Sequence, residues 1–282
     1  MAHNYEQPRT GCQAHRWAGS GGYGILDRMA IRWLTIFLDF PARDFGTGVA
    51  FWREITGSGL SPYRGADAEF ATLLPSAGDP WLRVQRVRDG AGGCHLDLHL
   101  DGGDAALTDT AARAASLGAR VEHRGEGLII LDSPGGFRFC LVRWEQERAV
   151  PDPVVLGDEG ASRADQLCLD IGPGGFDREC SFWAGLTGWD LRAGARPEFA
   201  FLERPGGMPA RLLLQRRGLA GERDDVTGHI DFACADPTRL VQRHAAAGAR
   251  LVAPFPYGVT MADPTGRLYC LTMRDPVTGK LR

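Results

Sequence analysis

Several patterns that identify common classes of protein are missing from this sequence. The seven cysteines include no CxxC pair, so the spacing of zinc ribbons and thioredoxin-like sites is absent. No run of 18 apolar residues occurs, which argues against a membrane-spanning helix. The glycine-rich stretches lack the spacing of a P-loop or a dinucleotide-binding motif, and no GxSxG motif occurs. Redox, membrane, nucleotide-binding and serine-hydrolase functions therefore have no support.

The composition is that of a soluble globular protein with room for two domains. The chain has 282 residues, of which 44% are hydrophobic and 24% charged. The net charge of -3 and the scattered arginines give no basic patch, so neither nucleic acid nor a membrane surface is predicted as a partner. Several cysteines lie in apolar runs such as 139–141, where a free thiol packs as a small hydrophobe. This usage predicts a reducing, cytoplasmic location.

Residues 1–28 differ from the rest of the chain. They are rich in glycine and polar residues, show no periodicity and lack the apolar core of a secretory signal. We predict a disordered N-terminal extension. Alternatively Met29, just before the first strand-like pattern, is the true initiator and the extension is absent from the native protein.

The rest of the chain is a tandem repeat. Six segments recur in the same order at offsets between 129 and 134: 51–60 with 182–191, 69–71 with 198–200, 82–86 with 212–216, 95–97 with 229–231, 117–120 with 247–250, and 139–141 with 269–271. The repeat predicts a first copy at 29–144 and a second copy at 164–275, followed by a tail at 276–282. The charged, proline-containing segment 145–163 reads as an exposed linker between them.

Each copy predicts an α+β domain. Apolar, β-branched residues at 31–39 indicate a strand, and 44–56 and 103–117 read as helices. Further strands are predicted near 68–74, 81–87, 94–100, 127–132 and 137–143. The second copy repeats this order, with Asp236 as the N-cap of a helix over 237–247. The simplest completion is a βαβββ unit used twice in each domain.

The order of landmarks resembles that of the vicinal oxygen chelate superfamily, which includes glyoxalases, bleomycin-resistance proteins and extradiol dioxygenases. These landmarks are a Phe-Trp pair on the first helix with Thr-Gly after it, a histidine in the middle strand, a Gly-Ala after the second helix, and the turn 263–269 (DPTGRLY). In the first copy this turn stands as SPGGFRF at 133–139. The resemblance covers most of 30–275 and implies two half-barrel cups, each able to hold a small ligand.

The resemblance also implies where a metal would bind. Metal-dependent members take ligands from their first, fourth, fifth and eighth strands. The matching residues are Thr35, Gln85, His95 and Arg138 or Cys140 in the first copy, and Gln166, Gln215, His229 and Leu268 or Cys270 in the second. No eighth-strand position holds a carboxylate, and amide oxygens suit transition metals poorly. His95 and His229 are the only good ligands, so no cofactor is predicted and a divalent metal is disfavoured.

Both histidines lie beside carboxylates. Residues two apart share one face of a strand, so His95 aligns with Asp97 and His229 with Asp231. A carboxylate can hold the neighbouring histidine in one tautomer and raise its pKa, which suits acid–base chemistry. A structural hydrogen bond is the alternative reading. These four residues are the candidate catalytic residues.

Other residues are candidate ligand contacts. Trp189 follows Gly188 and could rim a cup, while Gln166 and Gln215 lie on strands of the second copy. Three strand arginines could meet an anionic ligand: Arg83, Arg138 and Arg211. The Phe-Trp pairs at 51–52 and 182–183 are read as core residues.

Three functions remain open at this stage. A metal-free cup could bind a small, partly apolar molecule. A lyase, isomerase or dioxygenase-type enzyme could act on a small oxygenated substrate, with His229 or His95 as base or metal ligand. A scaffold would have cups filled by side chains. Because the copies can pair within one chain, a monomer or a homodimer is expected.

Overall fold

A computed structural model describes residues 31–155, 157–158, 160–218 and 225–282. The predicted extension 1–28 and the alternative initiator Met29 lie outside these residues. No helix in the described ranges is long and apolar enough to cross a membrane.

The first copy forms one sheet flanked by two helices. Its elements, in chain order, are β1 (Ile31–Pro41), α1 (Phe45–Ile55), β2 (Gly59–Leu60), β3 (Phe70–Leu74), β4 (Leu82–Val87), β5 (Gly93–Leu100), α2 (Gly103–Ser116), β6 (Arg120–Gly125), β7 (Leu128–Asp132) and β8 (Arg138–Arg143).

The second copy repeats this order after one additional short strand. Its elements are β9 (Val154–Val155), β10 (Ala161–Ile171), α3 (Phe176–Thr187), β11 (Leu191–Ala193), β12 (Phe199–Leu202), β13 (Arg211–Arg216), β14 (Val226–Cys234), α4 (Pro237–Ala246), β15 (Arg250–Phe255), β16 (Gly258–Ala262) and β17 (Leu268–Thr272). Helix α4 begins as predicted, because the Asp236 carboxylate accepts from the backbone N–H groups of Thr238 and Arg239.

The strand order confirms two βαβββ units in each domain. The first sheet runs β2-β3-β4-β1-β5-β8-β7-β6, and the second runs β11-β12-β13-β10-β14-β17-β16-β15. The two units of a sheet meet where β1 pairs antiparallel with β5, and where β10 pairs antiparallel with β14. These central strands are the longest in each sheet and supply most of the candidate site residues.

Alternation along the central strands separates core from cup. In β10 and β14, Leu167, Leu169, Ile230 and Phe232 point to the helix-covered face and are at most 1% exposed. The residues between them, such as His229, point to the opposite face. Burial of the apolar set is the main source of stability here, and it fixes which side chains face the cup.

Helix α1 of the first copy packs on the second copy, and helix α3 of the second copy packs on the first. In α1, Phe51 and Trp52 contact Phe232 and Tyr269 of the second copy through their rings. In the same way, Phe182 and Trp183 of α3 contact Phe139 of the first copy. The Phe-Trp pairs are therefore buried, as expected, and they join the two domains.

At this interface the indole N–H of each tryptophan donates a hydrogen bond to a buried carboxylate. The Trp52 N–H donates to Asp263 Oδ2 across the domain boundary at 2.9 Å. The Trp183 N–H donates to Glu179 Oε2 on its own helix, also at 2.9 Å. Glu179 in turn accepts from Ser133 and the backbone N–H of Gly135 in the first copy. Each pair therefore satisfies buried polar groups that would otherwise be costly.

The segment between the copies has exposed or partly exposed side chains at its described positions except Pro151 and Ser162, and it also contacts the first domain. The Asp79 carboxylate accepts from the backbone N–H groups of Arg148 and Ala149 at 2.7 and 2.8 Å. Strand β9 then pairs with the start of β10. These two backbone donors are therefore satisfied by a side chain of the first domain, which ties the segment to it.

Candidate functional site

A cavity of about 740 Å³ lies in the cup of the second copy. Its floor is made by β10, β13, β14 and β17, whose cross-strand partners present side chains on one face. This volume is in the range of pockets that hold small molecules. The polar residues on its wall include Gln166, Asp170, Arg211, Gln215, His229, Asp231, Cys270 and Arg274.

His229 lies between two carboxylates on this wall. Its Nδ1 is 2.7 Å from Asp170 Oδ2, and its Nε2 is 3.2 Å from Asp231 Oδ1. The His229 side chain is 12% exposed. The sequence predicted the Asp231 neighbour from its spacing, whereas Asp170 arrives from the adjacent strand.

The charges around His229 control its protonation. Burial alone would lower its pKa, but the surrounding acidic groups (Cys168, Asp231 and Asp170) together raise the pKa of His229 well above its usual value. Burial acts in the opposite direction on Asp231, yet the neighbouring imidazole holds the pKa of that carboxyl below its usual value. In the absence of other ligands, the protonated imidazole and the ionised carboxylate therefore favour one another.

A chain of hydrogen bonds links Asp231 to an arginine. The Gln166 side-chain amide donates to Asp231 Oδ2, and Arg211 Nε donates to the Gln166 carbonyl oxygen. The Arg211 guanidinium also lies 4.9 Å from the centre of the Phe201 ring. Burial lowers the pKa of Arg211 to about 10, so it stays cationic at neutral pH. No described carboxylate forms an ion pair with it.

The cup of the first copy contains a similar histidine in a different setting. His95 Nδ1 is 2.8 Å from Asp39 Oδ2, and its Nε2 is 3.8 Å from Asp97 Oδ1. Burial lowers the pKa of His95, but Asp39 and Asp97 outweigh that effect and raise it. The Phe37 ring stacks on the imidazole with centroids 4.5 Å apart and an interplanar angle of 8°. An aromatic ring therefore covers one face of His95.

The segment between the domains also contacts the first cup, through Glu147. His99 Nδ1 lies 3.3 Å from Glu147 Oε1, and His99 Nε2 lies 2.9 Å from the Thr35 hydroxyl. His99 is 1% exposed. The His99 ring is thus held by contacts at both of its nitrogens.

The four predicted ligand contacts lie in different parts of the structure. Gln166 and Gln215 line the cavity. Trp189 instead packs in the hydrophobic core at 8% exposure, because the chain turns inward after Gly188, and it does not line the cavity. Arg138 lies at the edge of the first copy, half-exposed and paired with Asp132 at 2.9 Å.

Sequence reasoning missed three residues of these sites. Asp39 and Asp170 hold the Nδ1 atoms of the two histidines, and Cys168 lies directly opposite His229 in the strand pair. All three come from the first strand of a domain, which reads as an apolar core strand. The signal available was that Asp39 and Asp170 occupy equivalent places in the two copies.

Two sheets, each built from two βαβββ units around a cup, define the class as the vicinal oxygen chelate fold. The model of the Glyoxalase-like domain family matches residues 35–142 and again residues 166–272, and the chain therefore belongs to that family. No curated protein matches the sequence significantly.

Solved structures share the fold at low sequence identity. The Mn(II)-bound glyoxalase from Novosphingobium aromaticivorans has a TM-score of 0.59 and 17% identity, covering 91% of this chain and 87% of its own. The 2,2',3-trihydroxybiphenyl 1,2-dioxygenase from Sphingomonas wittichii has a TM-score of 0.56 and 15% identity, covering 88% and 93%. The 2,3-dioxygenase LapB from Pseudomonas sp. KL28 has a TM-score of 0.57 and 12% identity, covering 90% and 98%.

The donor atoms of the second cup bear on metal binding. Cys168, His229 and Asp231 each place one ligand atom within 4.8 Å of the others. Three donors around a buried point fit a divalent cation. The sequence had disfavoured a metal because each copy offered one convincing ligand. Strand pairing places Cys168 opposite His229, beside the Asp231 carboxylate that the spacing had already placed there.

Proposed function

We propose that the second copy binds a small molecule with one anionic group and an apolar, ring-sized body. The cavity supplies the volume, and its wall combines a few polar groups with the aromatic side chains of Phe199, Phe201, Phe255 and Tyr257. Ligand pockets have this composition, with apolar walls for affinity and few polar groups for orientation. Two structural neighbours are named for dioxygenation of trihydroxybiphenyl and of catechol, which supports an aromatic body.

The setting of Arg211 is the reason to expect an anionic group on the ligand. It is a largely buried cation whose described contacts are a neutral amide oxygen and an aromatic face. Buried charges are normally paired, because leaving a charge unpaired away from water is costly. The other cavity arginines have carboxylate partners: Arg196 with Glu198, Arg217 with Asp225, and Arg274 with Asp165. A carboxylate on the ligand would complete the pairing of Arg211.

Matched pairs of ligands and variants test this proposal. Calorimetric titration with aromatic carboxylates and their neutral amides, starting with benzoate and benzamide, should show at least about tenfold tighter binding of the carboxylates, the gain of one charge-assisted pair. Arg211→Gln should remove that preference, whereas Arg138→Gln, an exposed arginine of the first copy, should leave it. Equal binding of acids and amides, or an equal loss in both variants, would contradict the proposal.

Catalysis on a small oxygenated substrate is the second candidate. It is favoured by the convergence of His229, Asp170 and Asp231 on the cavity wall, the arrangement expected of an enzyme rather than of a purely apolar binding cup. A lyase, isomerase or dioxygenase-type reaction is consistent with the family. Turnover of catechol, followed by oxygen uptake and product absorbance, should be lost in His229→Gln and retained in His95→Gln. Equal loss in both variants would place the chemistry elsewhere.

We also propose a cytoplasmic monomer. The six described cysteines are all free, which is the usage of a reducing compartment. The two copies already bury the Phe-Trp faces of α1 and α3 against each other within one chain. Sedimentation of the purified protein tests the oligomeric state, and a homodimer is the alternative.

A further inference from the structure

A cluster of arginines lies at one end of the second cavity. The Asp165 carboxylate accepts from Arg274 through both of its oxygens, at 3.0 and 2.6 Å, and this ion pair is buried. Three further arginines lie within electrostatic range of Asp165: Arg163, Arg204 and Arg211. Four cations therefore surround one buried carboxylate whose two oxygens are already occupied.

The three further arginines have only neutral acceptors among the described residues. Arg163 donates to the carbonyl of Val277 at 3.1 Å, and its Nε is buried without a hydrogen-bond partner. Arg204 donates to two backbone carbonyl oxygens, at 3.0 and 3.5 Å. Arg211 has an amide oxygen and an aromatic face, as described above. Burial lowers the pKa of all three guanidinium groups, because a charge held away from water without an ion-pair partner is disfavoured.

The other acids near the cluster are engaged elsewhere. Asp170 and Asp231 both lie against the His229 ring, one at each nitrogen. The Asp275 carboxylate accepts from two backbone N–H groups of its own turn, and Asp152 is exposed to solvent. Within the described residues, no buried carboxylate is left to balance the three arginines, so this end of the cavity keeps an excess of positive charge.

The excess charge reaches the cavity through two side chains. Arg211 and Arg274 line the wall, whereas the other two arginines do not. The chain covers part of the cluster on another side, because a Cβ at Gly279 would lie 2.9 Å from Asp165 Oδ2 and 3.6 Å from Arg204 Nη2. Water screens covered charges poorly, and the field of the cluster therefore adds to that of Arg211 inside the cavity.

We infer, on the basis of the proposed function, that the anionic group of the ligand is a dianion such as a phosphate monoester, bound against Arg211 and Arg274. A carboxylate would balance Arg211 alone, whereas a dianion also offsets the charge of the arginines behind it. The attraction grows with the charge of the ligand, and it is stronger in a partly buried site than in water. A phosphate also offers several oxygens to guanidinium N–H groups.

Phenyl phosphate and phenyl sulfate test the inference, because they share a size and a tetrahedral shape but differ by one charge. Calorimetric titration of the full-length protein at pH 7.5, with a chelator present, should show at least about tenfold tighter binding of the phosphate. The phosphate loses its second charge below a pKa of about 6, so this preference should fall steeply between pH 7.5 and pH 5. Phenyl sulfate stays a monoanion, and it reports any pH dependence of the site itself.

A substitution outside the cavity separates the cluster from the direct contact. Arg204→Gln removes a cation that does not line the cavity, so it should weaken phosphate binding more than sulfate binding and reduce the preference at least about threefold. Arg192→Gln changes an exposed arginine of the same copy and should leave the preference unchanged. Circular dichroism of both variants establishes that they are folded.

The possible outcomes separate this inference from the proposed function. Equal binding of phosphate and sulfate by the wild type would overturn the inference and leave the proposed function standing. A phosphate preference that a folded Arg204→Gln variant keeps in full would also overturn it, since the cluster would not be the source. If benzoate, phenyl sulfate and phenyl phosphate all fail to bind, the proposed function fails and the inference fails with it.

Discussion

The two copies place a carboxylate at the same point of the domain interface but take it from different elements. In one half, Asp263 in the turn before β17 accepts from Trp52 and from the backbone of its own turn. In the other half the turn holds Ser133, and the carboxylate comes instead from Glu179, four residues before Trp183 on α3. The turn of the first copy lacks a carboxylate, and Glu179 on α3 supplies one at the same place. A comparison of the two turns alone would not reveal this replacement.

The two cups show the opposite pattern, because the residue differences between them are not compensated by other residues. Both keep a histidine with one aspartate on each ring nitrogen. The second copy adds Cys168 and an open cavity, whereas the first adds Phe37 and a contact from Glu147. The buried carboxylate at the interface is thus kept in both halves through an exchange of residues, whereas the side chains in the two cups differ.

The largest effect is expected when the exchanged carboxylate is removed. Glu179→Ala leaves the Trp183 indole, Ser133 and a backbone N–H without their acceptor, and should lower the free energy of unfolding by about 3 kcal/mol. Adding Ser133→Asp should recover at least about 1 kcal/mol, because Asp263 shows that an aspartate in this turn accepts the same kinds of donor. Urea unfolding of the single and double variants measures both values.

The reverse exchange provides the control. Gly48 is the position equivalent to Glu179, and a Cβ there would overlap the Phe40 ring. Gly48→Glu should therefore fail to rescue Asp263→Ala. Rescue by that variant, or further destabilisation of Glu179→Ala by Ser133→Asp, would show that the two arrangements are not equivalent.

The next largest effect is a pH dependence of stability, which we expect from only one of the two halves of the domain interface. His244 in α4 is fully buried, and its Nδ1 lies 2.9 Å from the Tyr269 hydroxyl. Burial, assisted by the charge of Arg243, lowers the pKa of His244 to about 4. The unfolded chain therefore binds one more proton between about pH 6.5 and pH 4, and stability falls by roughly 3 kcal/mol as the pH falls through that window.

The first copy has Ala114 and Phe139 at the positions equivalent to His244 and Tyr269. The double variant His244→Ala with Tyr269→Phe should lose this component of the pH dependence. Urea unfolding of wild type and variant at pH 4.5 and pH 7 gives the difference, in which the contributions of other acids cancel. An unchanged difference would mean that His244 is protonated in the folded protein.

A change in the first cup sharpens the comparison of the two histidines. Phe37→Cys places at position 37 the residue type that stands opposite His229 in the second copy, and it removes the ring that stacks on His95. Loss of the buried ring should cost about 2 kcal/mol of stability. Urea unfolding is the measurement, and an unchanged free energy of unfolding would show that the Phe37 ring does not stabilise the first cup.

The smallest effect is expected at Arg138. It is half-exposed, and its partner Asp132 also accepts from Arg120, so Arg138→Gln should change the unfolding free energy by at most about 0.5 kcal/mol. Urea unfolding at low and moderate salt checks this. A loss above 1 kcal/mol would indicate a structural role for this ion pair.

The sequence predicted most of the fold because the repeated landmarks are core residues. Strands with apolar alternation were found within a few residues of their observed bounds. The first domain has one strand in each half that the sequence patterns did not place, and both are edge strands of the sheet: β2 has two residues, and β6 (RVEHRG) has little apolar content. Edge strands of this kind need no hydrophobic face, so periodicity cannot detect them.

The candidate site was predicted only along single strands. Spacing placed His229 with Asp231 and His95 with Asp97, since residues two apart share a face. Asp170 and Cys168 reach His229 across the strand pair, from 59 and 61 positions earlier in the chain. That register depends on the packing of the whole sheet, and nothing in a single strand encodes it.

The crosswise packing of α1 and α3 also constrains how the protein is made. Trp52 finds its acceptor 211 residues later in the chain, so the face of α1 stays uncovered during synthesis until the last strands have left the ribosome. Such distant contacts slow folding, because the chain entropy lost on closing the loop precedes the stabilising contact. The first copy cannot complete its interface alone, so the tryptophan-bearing face of α1 stays open to incorrect contacts until the second copy has been made.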